Sequence, residues 1–466
     1  MSRRPIYMRS KKKAYMGLIL LLAAIVGVIY MSHYGYSYFD VVLKNSELNG
    51  RNFKGKVKKT IAEKSGVEAY FMKVEDTGLV ALSFVFKNAG AAYEENGQNG
   101  IAALVASTIS KGAGRKSAYK LQEEMALKGI KLYFKADKDN FSGTMVVPYA
   151  NLTDAVSILN RVLVAPKFEE KFVETAKNQT IKKIEAEKEN PNKELALRSA
   201  EFIYGEHSYA RNVLGNIDTI RLLTGKDLKR FVKEYFVKDN LYVGITGNLT
   251  DDEVVEVLDG VFADLPKMSK KTDIDEVKIN WNRNKLIINR ETGQNIASIV
   301  YQGTCRKCED FYPLYIANYI FGGAGLNSRL NMEMREKEGL TYGGYSTLVL
   351  NNKANLLSVS FSTTSDNYEQ AEAIFFSEWQ KVRDEGFSKD ELSDAKSYLI
   401  SSFNLRFATT SGIAEMLAYM QLYDLEEDFL QNRNRYVQEV TLEQLNKIAE
   451  KYFTDNRLYS VIGNFN

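Results

Sequence analysis

Apolar residues follow different periods in different parts of this chain. Residues 14–31 (AYMGLILLLAAIVGVIYM) are 18 uncharged, mostly apolar positions, and no charge follows Lys13 until Asp40. As a helix, this run is about 27 Å long, close to the ~30 Å of a bilayer core. Residues 1–13 carry six basic residues and no acid, which keeps them cytoplasmic and sends the rest of the chain outside. Tyr30, Tyr34, Tyr36, Tyr38 and Phe39 stand where an interfacial aromatic belt belongs. A cleaved signal peptide is the competing reading. The bulky Ile29-Tyr30-Met31 offers no small-x-small cleavage site, which favours a transmembrane signal anchor over 14–32. It lies between a basic segment, 1–13, and a juxtamembrane linker, 33–56. The expected location is the cell inner membrane, single-pass, with the main body periplasmic or otherwise extracytoplasmic.

Beyond this segment the pattern repeats. Residues 223–248 and 440–464 match at an offset of 217: Thr224 with Thr441, Leu228 with Leu445, Tyr235-Phe236 with Tyr452-Phe453, and Leu241-Tyr242 with Leu458-Tyr459. Leu445, Ile448, Ala449 and Tyr452 have helical spacing, and 458–462 (LYSVI) reads as a buried strand. Thr441 with Gln444 has capping-box spacing, and Thr224 with Asp227 is a weaker version. The duplication predicts homologous lobes at 57–267 and 283–466 joined by a polar linker, 268–282, each lobe's last helix–strand unit returning to its own sheet. Strands are expected at 78–86, 285–288 and 296–301, and helices at 99–110, 118–128, 152–163 and 169–189. The fold class is α+β: two lobes, each an antiparallel-type sheet with packed helices, plus the N-terminal transmembrane helix.

Charge and composition then narrow the chemistry. The formal net charge is +3, but without the six basic residues of 1–13 the remaining 56 basic residues face 59 acidic ones, a net of −3. No basic stripe supports a nucleic-acid partner. The chain has two histidines, His33 and His207, and two cysteines, Cys305 and Cys308. That excludes a multi-histidine metal site, a four-cysteine zinc site and an iron–sulfur cluster built by this chain alone. Neighbouring carboxylates such as Glu94-Glu95 and Glu123-Glu124 diverge on a helix or strand and read as solvated faces. Cys305-Arg306-Lys307-Cys308 can be redox-active, since cations lower a thiol pKa. In an oxidising exported compartment, a local disulfide between Cys305 and Cys308 is the expected state.

Two stretches carry a family resemblance. Residues 322–330 (GGAGLNSRL), followed by 334–342 (MREKEGLTY), resemble the second-lobe signature of the pitrilysin/insulinase metallopeptidases, closest to the mitochondrial processing peptidase branch. In the first lobe Asn88-Ala89-Gly90, Tyr93-Glu94, Gly100-Ile101-Ala102 and Lys111-Gly112 follow in the family's order, and 204–209 (YGEHSY) resembles its glycine-acid-histidine-proline segment. In active relatives the helix after Gly-Ile-Ala carries H-x-x-E-H, two zinc-binding histidines and a water-activating glutamate. The aligned residues here are Ala103, Leu104, Val105, Ala106 and Ser107, and the third ligand's place falls on Lys182 or Lys183. The resemblance therefore implies a zinc-less member.

The resemblance further implies that Arg335 and Tyr342 are the pair that holds the substrate backbone and the developing oxyanion, as fixed donors to a carbonyl oxygen can. On spacing alone Arg335 is a weakly paired surface arginine and Tyr342 a core tyrosine. The glycines Gly322, Gly323 and Gly325 lack the features of a phosphate cradle and suit a substrate-contacting loop at a chamber mouth. The implied function is the Arg/Tyr-bearing subunit of a heterodimeric peptidase. No cofactor is expected in this chain, and zinc is expected in a partner subunit of the same family with intact H-x-x-E-H. Peptides are the substrates, and an extended one can add to the strand-like sequence 130–136 (IKLYFKA). The alternative is a non-catalytic scaffold or peptide-binding protein of the same fold.

Overall fold

The computed structural model describes residues 55–465 apart from 76, 269–272, 282 and 284. The basic segment 1–13, the anchor expected at 14–32 and most of the linker 33–56 lie outside the described residues. Among the described residues no helix is long and apolar enough to cross a membrane.

Eleven strands form two sheets among the described residues. The first contains β1 (Val57–Ile61), β2 (Glu68–Lys73), β3 (Leu79–Phe86), β4 (Lys131–Ala136), β5 (Phe141–Pro148) and β6 (Leu241–Gly247), in the order β1-β2-β6-β3-β5-β4. The second contains β7 (Leu286–Asn289), β8 (Asn295–Gln302), β9 (Thr341–Leu350), β10 (Asn355–Thr363) and β11 (Arg457–Gly463), in the order β7-β11-β8-β10-β9. Without β1 the two orders are the same. β6 and β11, the strands of the sequence repeat, occupy equivalent places. Each runs parallel to one neighbour, β2 or β7, and antiparallel to the other, β3 or β8. The sheets are thus mostly antiparallel, with one parallel pair each, because the last strand of each copy returns through a helix to the sheet's interior. The repeat's helices Gly225–Tyr235 and Leu442–Tyr452 both start with complete capping boxes, Thr224/Asp227 and Thr441/Gln444, so the aspartate serves as well as the glutamine.

Each sheet has its own apolar core on one face. The first is built on Phe84, Phe86, Phe141 and Phe236, with Phe86 and Phe236 stacked at 4.4 Å. The second centres on Trp379, which stacks on Tyr301 at 3.8 Å and meets Phe453 at 4.2 Å. The opposite faces are covered by exchanged helices. Helix Pro191–Tyr204 sends Leu195 and Ile203 onto the second sheet, against Ile296 and Ile462 and against Val300 and Leu458. Helix Thr410–Leu422 lies on the first sheet, where Gln421 accepts the Val243 amide at 2.5 Å and donates to the Glu68 carbonyl at 3.0 Å. The two approach closely at Gly244, where an added Cβ would fall 2.2 Å from the Ala414 carbonyl oxygen. Leu417 and Met420 are fully buried there, each contributing about 1.5–3 kcal/mol.

The segment joining the two sheets also packs. Ile274 and Val277 lie against the first core, and Lys353 of the second half pairs with Asp273 and Glu276, both at 2.7 Å. The β9–β10 hairpin docks on the first half, where Asp139 accepts the Asn352 amide at 3.0 Å and the Tyr209 hydroxyl accepts that of Lys353 at 3.0 Å.

Candidate functional site

The helix that carries the metal motif in active relatives spans Ile101–Thr108 here. Its entry is tightly specified. Gly100 caps it with φ +93°, a left-handed conformation that disfavours a side chain, and an added Cβ would fall 2.5 Å from the Leu214 carbonyl oxygen. Glu94 is buried, 4% exposed, and accepts the amides of Gly100 at 2.7 Å and Ala102 at 2.9 Å. It is not the solvated carboxylate its acidic neighbour suggests. The side chain folds back onto the helix N-terminus, where free amides favour negative charge. Burial nevertheless pushes its carboxyl up to about 8, opposed by those amides and by Arg211 and Lys138.

On this helix Ala103 and Ala106 are half-buried and Ser107 is exposed. The alanines carry no donor atom, and the Ser107 hydroxyl donates to the Leu104 carbonyl at 2.9 Å. Lys183, exposed on helix Glu170–Glu189, offers a cation where a ligand would need a lone pair. These residues do not fit zinc. Among the described residues no group of three or more His, Cys, Asp or Glu side chains is arranged to hold a metal ion. His207 is held by its loop: it stacks on Tyr209 at 5.3 Å, and its Nδ1 accepts the Tyr209 amide at 3.2 Å. Its Nε2 therefore donates to the Asp275 carbonyl at 3.0 Å.

The second-half segment is built differently. Gly322 closes a helical turn packed under β9, where an added Cβ would fall 2.6 Å from Ser346 Oγ. Gly323 is exposed and Gly325 adopts φ +60°. A short helical stretch then runs through Arg329–Asn331 and Met332–Lys337 and stops at Gly339, φ +63°, so Tyr342 falls on β9 rather than two turns along a helix from Arg335. Two residues without a role in the sequence reading hold this segment. Asn331, fully buried, donates to the carbonyls of Gly325 at 2.8 Å and Gly344 at 2.6 Å and accepts the Gly344 amide at 2.8 Å. Arg329 forks onto Glu391 through Nε and Nη2, the latter at 2.6 Å, and donates to the Gly386 carbonyl at 3.0 Å.

Tyr342 sits in a β-bulge. Phe361 pairs with Gly344 and Thr363 with Thr341, so β9 uses three steps where β10 uses two. The Thr341 hydroxyl accepts the Gly343 amide at 3.0 Å and donates to the Ser362 carbonyl at 2.5 Å, satisfying the interrupted ladder. β9 is the sheet's edge, and the bulge turns Tyr342 outward to 78% exposure. The only ion pair of Arg335 among the described residues is a 3.7 Å contact with its neighbour Glu336. Arg329 is thus committed to the scaffold, while Arg335 and Tyr342 remain available from it. Asn331 was hard to single out from sequence, because one asparagine inside a signature carries no periodicity or spacing signal.

Cys305 and Cys308 are disulfide-bonded in the turn that leads into helix Phe311–Asn318. The intervening Arg306 lies over the Phe311 ring at 4.1 Å and donates to the Tyr419 hydroxyl at 3.1 Å. No hydrogen bond or ion pair joins the helix Ile101–Thr108 to Arg335 or Tyr342 among the described residues.

Comparison with known proteins agrees with this geometry. Residues 73–216 match the family model for insulinase (peptidase family M16), and 223–399 match that for the peptidase M16 inactive domain. An uncharacterized zinc protease, YmxG, of Bacillus subtilis is 22% identical over 380 residues, covering 81% of this chain and 91% of that protein. A non-peptidase homolog, YmxG, of Helicobacter pylori is 23% identical over 399 residues, covering 84% and 91%. The crystal structure of a peptidase M16 inactive domain from Pseudomonas fluorescens superposes with a TM-score of 0.82 at 23% identity, covering 88% of this chain and 98% of that one. This chain belongs to the M16 family of pitrilysin/insulinase peptidases, as a member whose zinc-ligand positions hold no ligands.

Proposed function

We propose that this chain is the Arg/Tyr-bearing subunit of a heterodimeric peptidase, with a zinc-binding chain of the same family as its partner. The partner supplies the metal and general base. This chain supplies half of the chamber and the donors Arg335 and Tyr342, and residues 14–32 tether it to the inner membrane with the body outside the cytoplasm. The observation that carries the reading is the contrast on one chain. The zinc positions are Ala103, Ala106 and Ser107, while Arg335, half-buried and held only by a 3.7 Å contact with Glu336, and the exposed Tyr342 stand on an elaborately bonded scaffold. A guanidinium and a phenol presented this way are donors suited to a substrate carbonyl. The substrate is an extended peptide. β4 is the first sheet's edge strand and alternates exposed Lys131, Tyr133 and Lys135 with half-buried Leu132, Phe134 and Ala136, which suits strand addition. The test is purification of the full chain from membranes followed by a peptide-cleavage assay. A zinc-binding M16 chain should co-purify and the mixture should cleave, and Arg335→Ala should slow cleavage about a hundredfold. If no such chain co-purifies, or the variant mixture cleaves at the wild-type rate, the reading fails.

The second reading is a peptide-binding or scaffold protein without a reaction. The relative named a non-peptidase homolog favours it. It predicts an intact complex whose properties are indifferent to Arg335 and Tyr342.

A further inference from the structure

Beside the disulfide turn, helix Phe311–Asn318, β9, helix Thr410–Leu422 and helix Phe429–Gln438 enclose a cavity of about 210 Å³. Its walls are aromatic: Phe311, Tyr312, Tyr315, Phe403, Tyr419 and Phe429 line it. Three arginines, Arg306, Arg406 and Arg433, line it as well, and no lining residue is acidic. The volume falls below the roughly 300 Å³ at which sites for drug-sized ligands begin, so the cavity suits a smaller occupant.

Arg433 is buried, 5% exposed, and forms no ion pair among the described residues. Its Nη1 donates to the Leu399 carbonyl at 2.7 Å and to Asn434 Oδ1 at 3.2 Å, and the Tyr315 hydroxyl is a further polar neighbour. Its guanidinium lies over the Phe403 ring at 4.4 Å. An exposed arginine without an ion pair is solvated by water, but a buried one is not. Arginine cannot shed its proton, and a buried charge is ordinarily paired. Burial lowers the pKa of Arg433 and the nearby Arg406 adds to that, with only tyrosines opposing them. Arg306 is half-buried, 4.1 Å from the Phe311 ring and 5.3 Å from that of Phe429, and it donates through Nε to the Tyr419 hydroxyl at 3.1 Å. It too forms no ion pair among the described residues. Two guanidiniums held against rings in one acid-free cavity call for a negative charge, and their planar forks match a carboxylate.

We propose that this cavity binds a small monocarboxylate with an aromatic body, its carboxylate against Arg433 and Arg306 and its ring against the aromatic walls. A phosphate or sulfate would bring oxygens on every side to walls made mostly of ring carbon. The site uses neither Arg335 nor Tyr342 nor the edge strand β4, so it stands or falls apart from the peptidase reading.

Isothermal titration of the full chain with 3-phenylpropionate tests this, alongside 3-phenylpropionamide, acetate and inorganic phosphate. The expected result is saturable one-to-one binding of 3-phenylpropionate. The amide should bind about tenfold or more weakly, the loss typical of one charge-assisted hydrogen bond, and acetate as weakly, because it has no ring to bury. Arg433 also holds the Leu399 carbonyl, so the variant of choice is Arg306→Met, which should keep the wild-type Tm and weaken binding about tenfold or more. Lys307→Met removes the next cation along the turn, an exposed one paired with Asp424 outside the cavity, and should bind as the wild type does. The proposal is overturned by absence of saturation up to about 10 mM 3-phenylpropionate, well beyond the range of weak specific binding. It is equally overturned if the amide, acetate or phosphate binds as tightly, if Arg306→Met with unchanged Tm binds as the wild type does, or if Lys307→Met weakens binding as much as Arg306→Met.

Discussion

The helix Ile101–Thr108 and the segment from Ser328 to Tyr342 are both tightly positioned by buried hydrogen bonds, and they differ in what is positioned. At the first, a buried carboxylate, a left-handed glycine and a close backbone approach fix a helix whose outward residues are two alanines and a serine. At the second, Asn331, Thr341 and the Arg329–Glu391 pair fix a short helical stretch that carries Arg335 and a bulged edge strand that carries Tyr342. The scaffold of the first is complete although its outward residues carry no metal ligand. The residues that set backbone position are separate from those that carry chemistry, and their energetics do not depend on metal.

That separation can be broken by regrafting. The variant Ala103→His, Ala106→Glu, Ser107→His and Lys183→Glu should bind zinc stoichiometrically, measurable by metal analysis after dialysis, where the wild type retains none. Omitting Lys183→Glu should weaken the binding by about tenfold or more, the range for a perturbed metal site. Failure of the full graft to bind would show that the helix has moved away from the family's geometry. At the second site, Asn331→Ala should cost about 3 kcal/mol in denaturant unfolding, because it strands buried Gly325 and Gly344 backbone groups.

The buried Glu94 gives a pH test of the first site. Its carboxyl titrates at about 8 in the folded chain against 4.5 ordinarily, so between those values the folded state holds a proton the unfolded state has released. Its contribution to stability is present below 4.5 and is lost as pH rises toward 8. Wild-type Tm should therefore fall over that interval relative to Glu94→Gln, whose curve should be flatter. A parallel pair of curves would contradict the assignment. Smallest of all, Tyr342→Phe should change unfolding free energy by less than about 0.5 kcal/mol, since the ring is exposed. A larger loss would make Tyr342 part of the scaffold and weaken the comparison with Arg329.

Much of the fold is visible in the chain itself. The 217-residue repeat foretells two sheets of one topology, and β6 and β11 enter their sheets at equivalent places. Helical and strand periods set the elements within a residue or two, because local patterning and caps are sequence-near properties. Residue type alone made the absence of a zinc motif legible, since His33 and His207 lie far from the helix Ile101–Thr108 in sequence, and Arg335 and Tyr342 stand in a recognisable signature. Glu94 was misread because its burial depends on a turn that brings it back to the helix N-terminus.

What the tertiary structure alone decided is long-range. The helices Pro191–Tyr204 and Thr410–Leu422 are exchanged between the two sheets, and their amphipathic faces identify an apolar surface without saying whose. The bulge that turns Tyr342 outward and the commitment of Arg329 to Glu391 both arise from residues apart in sequence meeting across a sheet or a helix crossing. Sequence periodicity reports which face of an element is buried, and only packing decides which partner buries it.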